Sequence, residues 1–222
     1  MKKITLLLNL ILISFTNCVG QNSQDVHKVK NKYNFTKPDS VCPPEGNAKD
    51  EKKRESNKLK NRNQFPEEKN FDTNITLGNI LKPGNDKTRW DNTKAVRITG
   101  YIYDVKQAGP ESCNCKTKNK YLQDTHIEII SDPMNDGKIK RFVVEVTPRL
   151  REIMRLQKIN WSTNVLRDKF LGRWVQIEGW MFFDEEHADE SENTNPGREK
   201  NWRATSWEIH PVTKMEVVER PR

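Results

Sequence analysis

The spacing of apolar residues changes twice along the second half of this chain, and that double change limits the folds open to it. Three runs alternate with the period of a strand: "KAVRITGYIYDVK" (94–106), "HIEIIS" (126–131) and "KRFVVEVTP" (140–148). A hairpin signal, Asn135-Asp136-Gly137, precedes the third. The period then lengthens to that of a helix in "RLREIMRLQ" (149–157) and "STNVLRDKFLG" (162–172), with Ser162 as N-cap and Gly172 as stop. Alternation returns in "RWVQIEGWMFFD" (173–184) and "RATSWEIHPVTKMEVV" (203–218). Three strands, a helical stretch and two strands are the order of an OB-fold. The expectation is a mainly β chain: a five-stranded OB-like Greek-key barrel with a helix between strands 3 and 4. Gly100 and Gly179 fall mid-strand, where a small barrel bends sharply. Another small open β-sandwich or barrel is the competing architecture.

The barrel does not use the whole chain. Of 222 residues 33% are hydrophobic and 32% charged, too polar for one core throughout. Residues 21–70 read as a disordered, basic, polar linker, with a marginal solvent-exposed helix conceivable from Lys49 to Lys60. A short helical turn in "ITLGNILKPGND" ends at Pro83-Gly84, so the ordered domain is expected over 71–222.

Lys2-Lys3 followed by the apolar run Ile4 to Phe15 has the form of a signal peptide over residues 1–20. Lipidation at Cys18, with 1–17 removed, is the alternative, and it would supply the chain's contact with a membrane. The expected address is therefore exported: periplasmic or extracellular, or an outer-membrane lipoprotein. Setting Cys18 aside, Cys42, Cys113 and Cys115 remain, so one thiol is left over if a disulfide forms. Cys42 can bridge to either member of the close pair, or the pair can bridge to itself. Cys113 and Cys115 are too closely spaced for a zinc knuckle.

Acids and histidines recur at strand ends: Asp124, His126, Glu145, Asp184, His187, Glu208 and His210. Glu208 and His210 share one face of the last strand, roughly 7 Å apart, while Trp207 and Ile209 face the other way. Pro211 removes a ladder donor, so the strand bulges, ends or lies at an edge there. Asp184, His187, Glu208 and His210 are the candidate catalytic set and could also ligate a divalent metal. The bland reading of the same pair is a structural strap at the barrel rim. Trp180, Phe182, Tyr101 and Tyr103 are candidate stacking surfaces, with Arg203 a candidate ligand contact. The alternative is that such aromatics pack beneath other segments.

"GWMFFDEEH" and "WEIHPVTKMEV" resemble the closing segment of a family of small exported bacterial OB-fold-like proteins, with an Asp-x-x-His and a Glu-x-His-Pro step near the C-terminus. "VRITGYIYDVKQAGPESCNC", "FVVEVTPRLR" and "WSTNVL" fit the same family, so the resemblance spans about Ile75 to Val218. It implies an OB-like fold and selects Asp184, His187, Glu208 and His210, without implying an activity. The chain departs from the family's short Gly-containing link by a long acidic insertion after His187.

A formal charge of +8 favours acidic partners, nucleic acid or glycan. The sequence thus supports an exported OB-fold binding module for single-stranded nucleic acid or oligosaccharide rather than an enzyme. A metal-dependent, nuclease-like hydrolase is the first alternative and an envelope structural or assembly protein the second.

Overall fold

The computed structural model describes residues 42–135 and 137–221. The expected signal peptide, the Cys18 anchor and Asp136 of the hairpin signal lie outside them. Five strands close into a barrel: β1 (Ala95–Gln107), β2 (Thr125–Ile130), β3 (Phe142–Val146), β4 (Trp174–Phe183) and β5 (Trp207–Val217). Their order around the barrel is β1-β2-β3-β5-β4. Neighbours are antiparallel except β3 and β5, which run parallel through Val143↔Glu208 and Val144↔Ile209. The expected OB-like barrel is what forms.

β1 serves two partners. Ala95 to Tyr101 pairs with β4, and Tyr101 to Gln107 pairs with β2. The strand must bend where it changes partner, and Gly100 lies at that point. A Cβ there would stand 2.9 Å from Leu77 Cδ2. Alternate residues point inward and fill the barrel with Val96, Ile98, Ile102, Ile127, Ile129, Val144, Ile177, Met181, Trp207, Ile209 and Val212.

Two short helices, α3 (Pro148–Leu156) and α4 (Thr163–Phe170), lie between β3 and β4; α1 (Glu51–Lys60) and α2 (Leu77–Ile80) precede the barrel. Thr147 caps α3 by accepting from Leu150 N, with Pro148 at the first helical position. Leu166 and Phe170 on α4 join the core, and Gly172 ends the segment at φ +72°.

Pro211 forces the expected irregularity. Met181 faces Ile209 but Gly179 faces Val212, so β5 carries one extra residue at His210-Pro211, whose peptide bond is cis. The bulge brings β5 hard against β4. A Cβ on Gly179 would lie 2.3 Å from Ile209 Cγ2 and 2.5 Å from the Pro211 carbonyl oxygen.

Residues 42–70 require a correction. They do not form a linker; they form a layer over the outer face of β4 and β5. Asp50 caps α1 by accepting from Lys53 N, and Asn57 and Lys60 are buried. Polar contacts hold this layer rather than apolar area, which is why composition missed it. Asn61 Nδ2 donates to the carbonyls of Pro44 and Cys113, both at 2.8 Å. Arg62 donates to the carbonyls of Asn92, Met181 and His210 and lies over the Trp180 ring. A Cys42–Cys115 disulfide fastens the layer to the loop between β1 and β2, leaving Cys113 as a buried free thiol.

The bulge gives a sharp comparison. Gly179→Ala meets backbone, whereas Gly100→Ala meets a leucine methyl that can turn aside. Urea unfolding should show Gly179→Ala losing about 3 kcal/mol, and Gly100→Ala about 1 kcal/mol.

Candidate functional site

The outer faces of β2, β3 and β5 carry the polar residues whose inward neighbours build the core. His210 points outward from β5 and is fully buried beneath the 42–70 layer. Around its imidazole stand Glu208 from the same strand, Glu145 from β3 and Asp124 at the entry to β2. Glu208 Oε2 is 3.3 Å from Nδ1, Glu145 Oε2 is 3.6 Å from Nδ1, and Asp124 Oδ2 is 3.9 Å from Nε2. Burial disfavours the imidazolium, but these carboxylates outweigh it and hold the His210 pKa above its usual value.

Each acid has a different partner. Arg203, fully buried, donates to Glu208 Oε1 at 2.7 Å. Burial works against the Glu208 carboxylate, yet Arg203 holds its pKa well below the ordinary range. Lys60 Nζ reaches Asp184 at 2.7 Å and Glu111 at 2.9 Å. Burial opposes its charge, but these two acids keep its pKa well above normal. His126 Nδ1 pairs with Glu145 Oε1 at 2.9 Å, as the β2–β3 register dictates. For Asp124 burial outweighs the more distant His210 and pushes the carboxyl up to about 7. The Cys113 thiol is 3.9 Å from Asp124 Oδ2; burial and the neighbouring Asp124 and Glu111 raise its pKa.

Asp184, His187, Glu208 and His210 thus divide into two adjoining sets. Asp184, His187 and Glu208 bring ligand atoms within 4.8 Å of one another, and so do Asp124, Glu145 and His210. His187 is half-buried and its Nδ1 lies 3.1 Å from Glu190. It is held within an ordered insertion: a 3-10 run over Glu185–Glu190, and Trp202 Nε1 donating to Glu190.

The proposed ligand contacts fare differently. Trp180 and Phe182 are buried under the N-terminal layer, with Trp180 Nε1 donating to the Gln64 carbonyl, and Arg203 is bound to Glu208. All three are buried, so they are not exposed contacts. Tyr101 packs edge-on against Trp174, and Tyr103 lies under the Arg141 guanidinium at 4.1 Å; both tyrosines are half-buried.

Lys60, Glu111 and Glu128 were missed. Lys60 sits in a lysine-rich polar run in which Leu59 is the single apolar neighbour, too little to mark its burial. Glu128 was hidden by its place among isoleucines. It takes Arg141 at 2.8 Å and also pairs with Lys106. Burial works against its charge, but His126 and Lys106 bring its pKa down to about 2.

Compared with known proteins, the chain matches no family model and no curated protein.

Two experiments check this electrostatic layer. Lys60→Met strands the buried Asp184 and the half-buried Glu111, so urea unfolding should show a loss of about 3–5 kcal/mol. Lys52→Met, which removes an exposed pair with Glu185, should change little. Burial opposes the His126 cation, but Glu128 and Glu145 push its pKa up to about 9. The stabilisation is complete below pH 6.5 and disappears as pH rises through 9. Thermal unfolding across that window should show a loss on the order of 3 kcal/mol in the parent, and a smaller one in His126→Gln.

Proposed function

We propose that the chain is an exported OB-like binding module that takes a polymeric ligand across the outer face of β1, β2 and β3. The observation carrying this reading is a pair of half-buried aromatic–cation stacks on that face. Arg141 lies over Tyr103 at 4.1 Å and Lys106 over Trp202 at 5.7 Å, on either side of Glu128. Trp202 comes from the connection between β4 and β5, one of the two loops through which OB-folds contact ligands.

The charge balance of the face favours oligosaccharide over nucleic acid. Both cations are already engaged by Glu128. Residues 1–41 hold six lysines and two aspartates, so +4 of the total +8 lies before the described residues. What remains is aromatic surface with paired donors and acceptors, suited to hydroxyl-rich rings. The hydrolase reading fits less well, because His210 and Glu208 are sealed beneath residues 42–62 and a polymer would have to displace that layer.

Export is supported by the Cys42–Cys115 disulfide, which is consistent with an oxidising, extracytoplasmic compartment. No helix among the described residues is long and apolar enough to cross a membrane. We also assign the chain to the exported family that its Asp-x-x-His and Glu-x-His-Pro steps resemble. The joint burial of Asp184, Glu208 and His210 supports taking those steps as a shared strap.

Titration of the full chain with defined oligosaccharides and with an oligothymidylate, at two salt concentrations, tests the ligand class. Oligosaccharide binding with little salt dependence is expected, and Tyr103→Ala or Trp202→Ala should weaken it about tenfold. Oligothymidylate binding that falls steeply with salt would replace the glycan by nucleic acid. Failure of both ligands to bind would overturn the binding reading.

A further inference from the structure

We propose that Asp124, Glu145 and His210 form a binding site for a zinc-type divalent transition metal, joined by Cys113, whose thiol lies beside Asp124. The argument for this site does not depend on the proposed ligand.

The first argument is the orphaned atoms. His210 Nε2 and Glu145 Oε2 are buried and have no hydrogen-bond partner. Leaving such groups unpaired is costly, and native interiors rarely do so. Glu145 and His210 each offer a ligand atom that lies, with one from Asp124, within 4.8 Å of the others.

The second argument is spacing. His210 Nε2 stands 3.9 Å from Asp124 Oδ2, too far for a hydrogen bond and close to the separation of two donors sharing one ion. Bonds of about 2.1 Å in tetrahedral geometry place neighbouring donors about 3.4 Å apart. The ligand atoms of the three residues lie within 4.8 Å of one another, and closing that set around an ion would complete the site.

The third argument is the orientation of the histidine. Nδ1 faces Glu208 at 3.3 Å, and Glu208 is fixed by Arg203 at 2.7 Å. If Nδ1 carries the proton and donates it to Glu208, Nε2 is the unprotonated donor. Carboxylates support metal-bound histidines in this way. Glu145 is held similarly, because its Oε1 is taken by His126 at 2.9 Å and its Oε2 is left over.

The donor set selects the ion. An imidazole with two carboxylates disfavours magnesium and calcium, which prefer all-oxygen surroundings. Cys113 Sγ stands 3.9 Å from Asp124 Oδ2, on the loop that Cys42–Cys115 pins. A thiol at that distance points to zinc over manganese. An ion of this size can enter a space closed to a polymer.

The test uses the purified full chain and Zn²⁺ or Co²⁺ alone. One equivalent of Zn²⁺ should survive dialysis and raise the melting temperature by several degrees. Co²⁺ should give visible bands of a four-coordinate centre and a sulfur charge-transfer band that Cys113→Ser removes. Asp124→Asn and Glu145→Gln preserve shape and should each weaken Zn²⁺ binding at least tenfold while circular dichroism stays unchanged. They keep the test decisive if His210→Ala fails to fold. A folded parent that retains no metal overturns the proposal. So does zinc binding that survives both isosteric variants, as it would if His27 or Cys18 were the ligands. Binding of Ca²⁺ in preference to Zn²⁺ overturns the choice of ion.

Discussion

One ammonium group joins three distant parts of this chain. Lys60 comes from the end of α1, Glu111 from the loop between β1 and β2, and Asp184 from the end of β4, and Lys60 Nζ touches both acids. A buried cation tolerates no loose arrangement, because desolvation must be offset by charge and geometry together. Once Lys60 is placed, α1 can dock in only one way. The carbonyls that Arg62 and Asn61 serve are then fixed as well.

The molecule therefore has two interiors separated by one sheet. Inside the barrel, Ile127, Val144, Ile209 and their neighbours form an apolar core that buries area without direction. Outside it, the same strands present His126, Glu145, Glu208 and His210 to a polar layer that is directional and sparing of area. Alternation along a strand makes this division automatic: inward Ile127 sends His126 and Glu128 outward, and inward Ile209 sends Glu208 and His210 outward. The apolar side supplies most of the stability. The polar side decides which segment covers β4 and β5.

This division also explains what the sequence could tell. The barrel was legible because its signal is periodic: alternation in five runs, a switch to helical spacing at Arg149, and an imposed bulge at Pro211. The shared face of Glu208 and His210 followed from the same rule. Convergence did not, since Asp124, Glu145 and His210 meet only through the parallel pairing of β3 with β5 and the pairing of β2 with β3. Residues 42–70 read as linker with at most a marginal helix because they hold few apolar residues. They are held instead by asparagine and arginine bonds to backbone carbonyls, which leave no periodic trace. The cysteines left the choice open, and only the approach of Cys42 to Cys115 settles it.

The position of that bridge bears on how the protein carries mechanical load. Cys42 precedes α1, and Cys115 belongs to the loop that enters β2. Tension applied from the N-terminal side passes at Cys42 through the sulfur–sulfur bond into the barrel wall. Everything from Pro43 to Asn114, α1 and the Lys60 centre included, lies within the loop that the bridge closes. A chain held by its N-terminus could be pulled without peeling away the layer over its buried charges. Reduced, the same pull would fall first on α1.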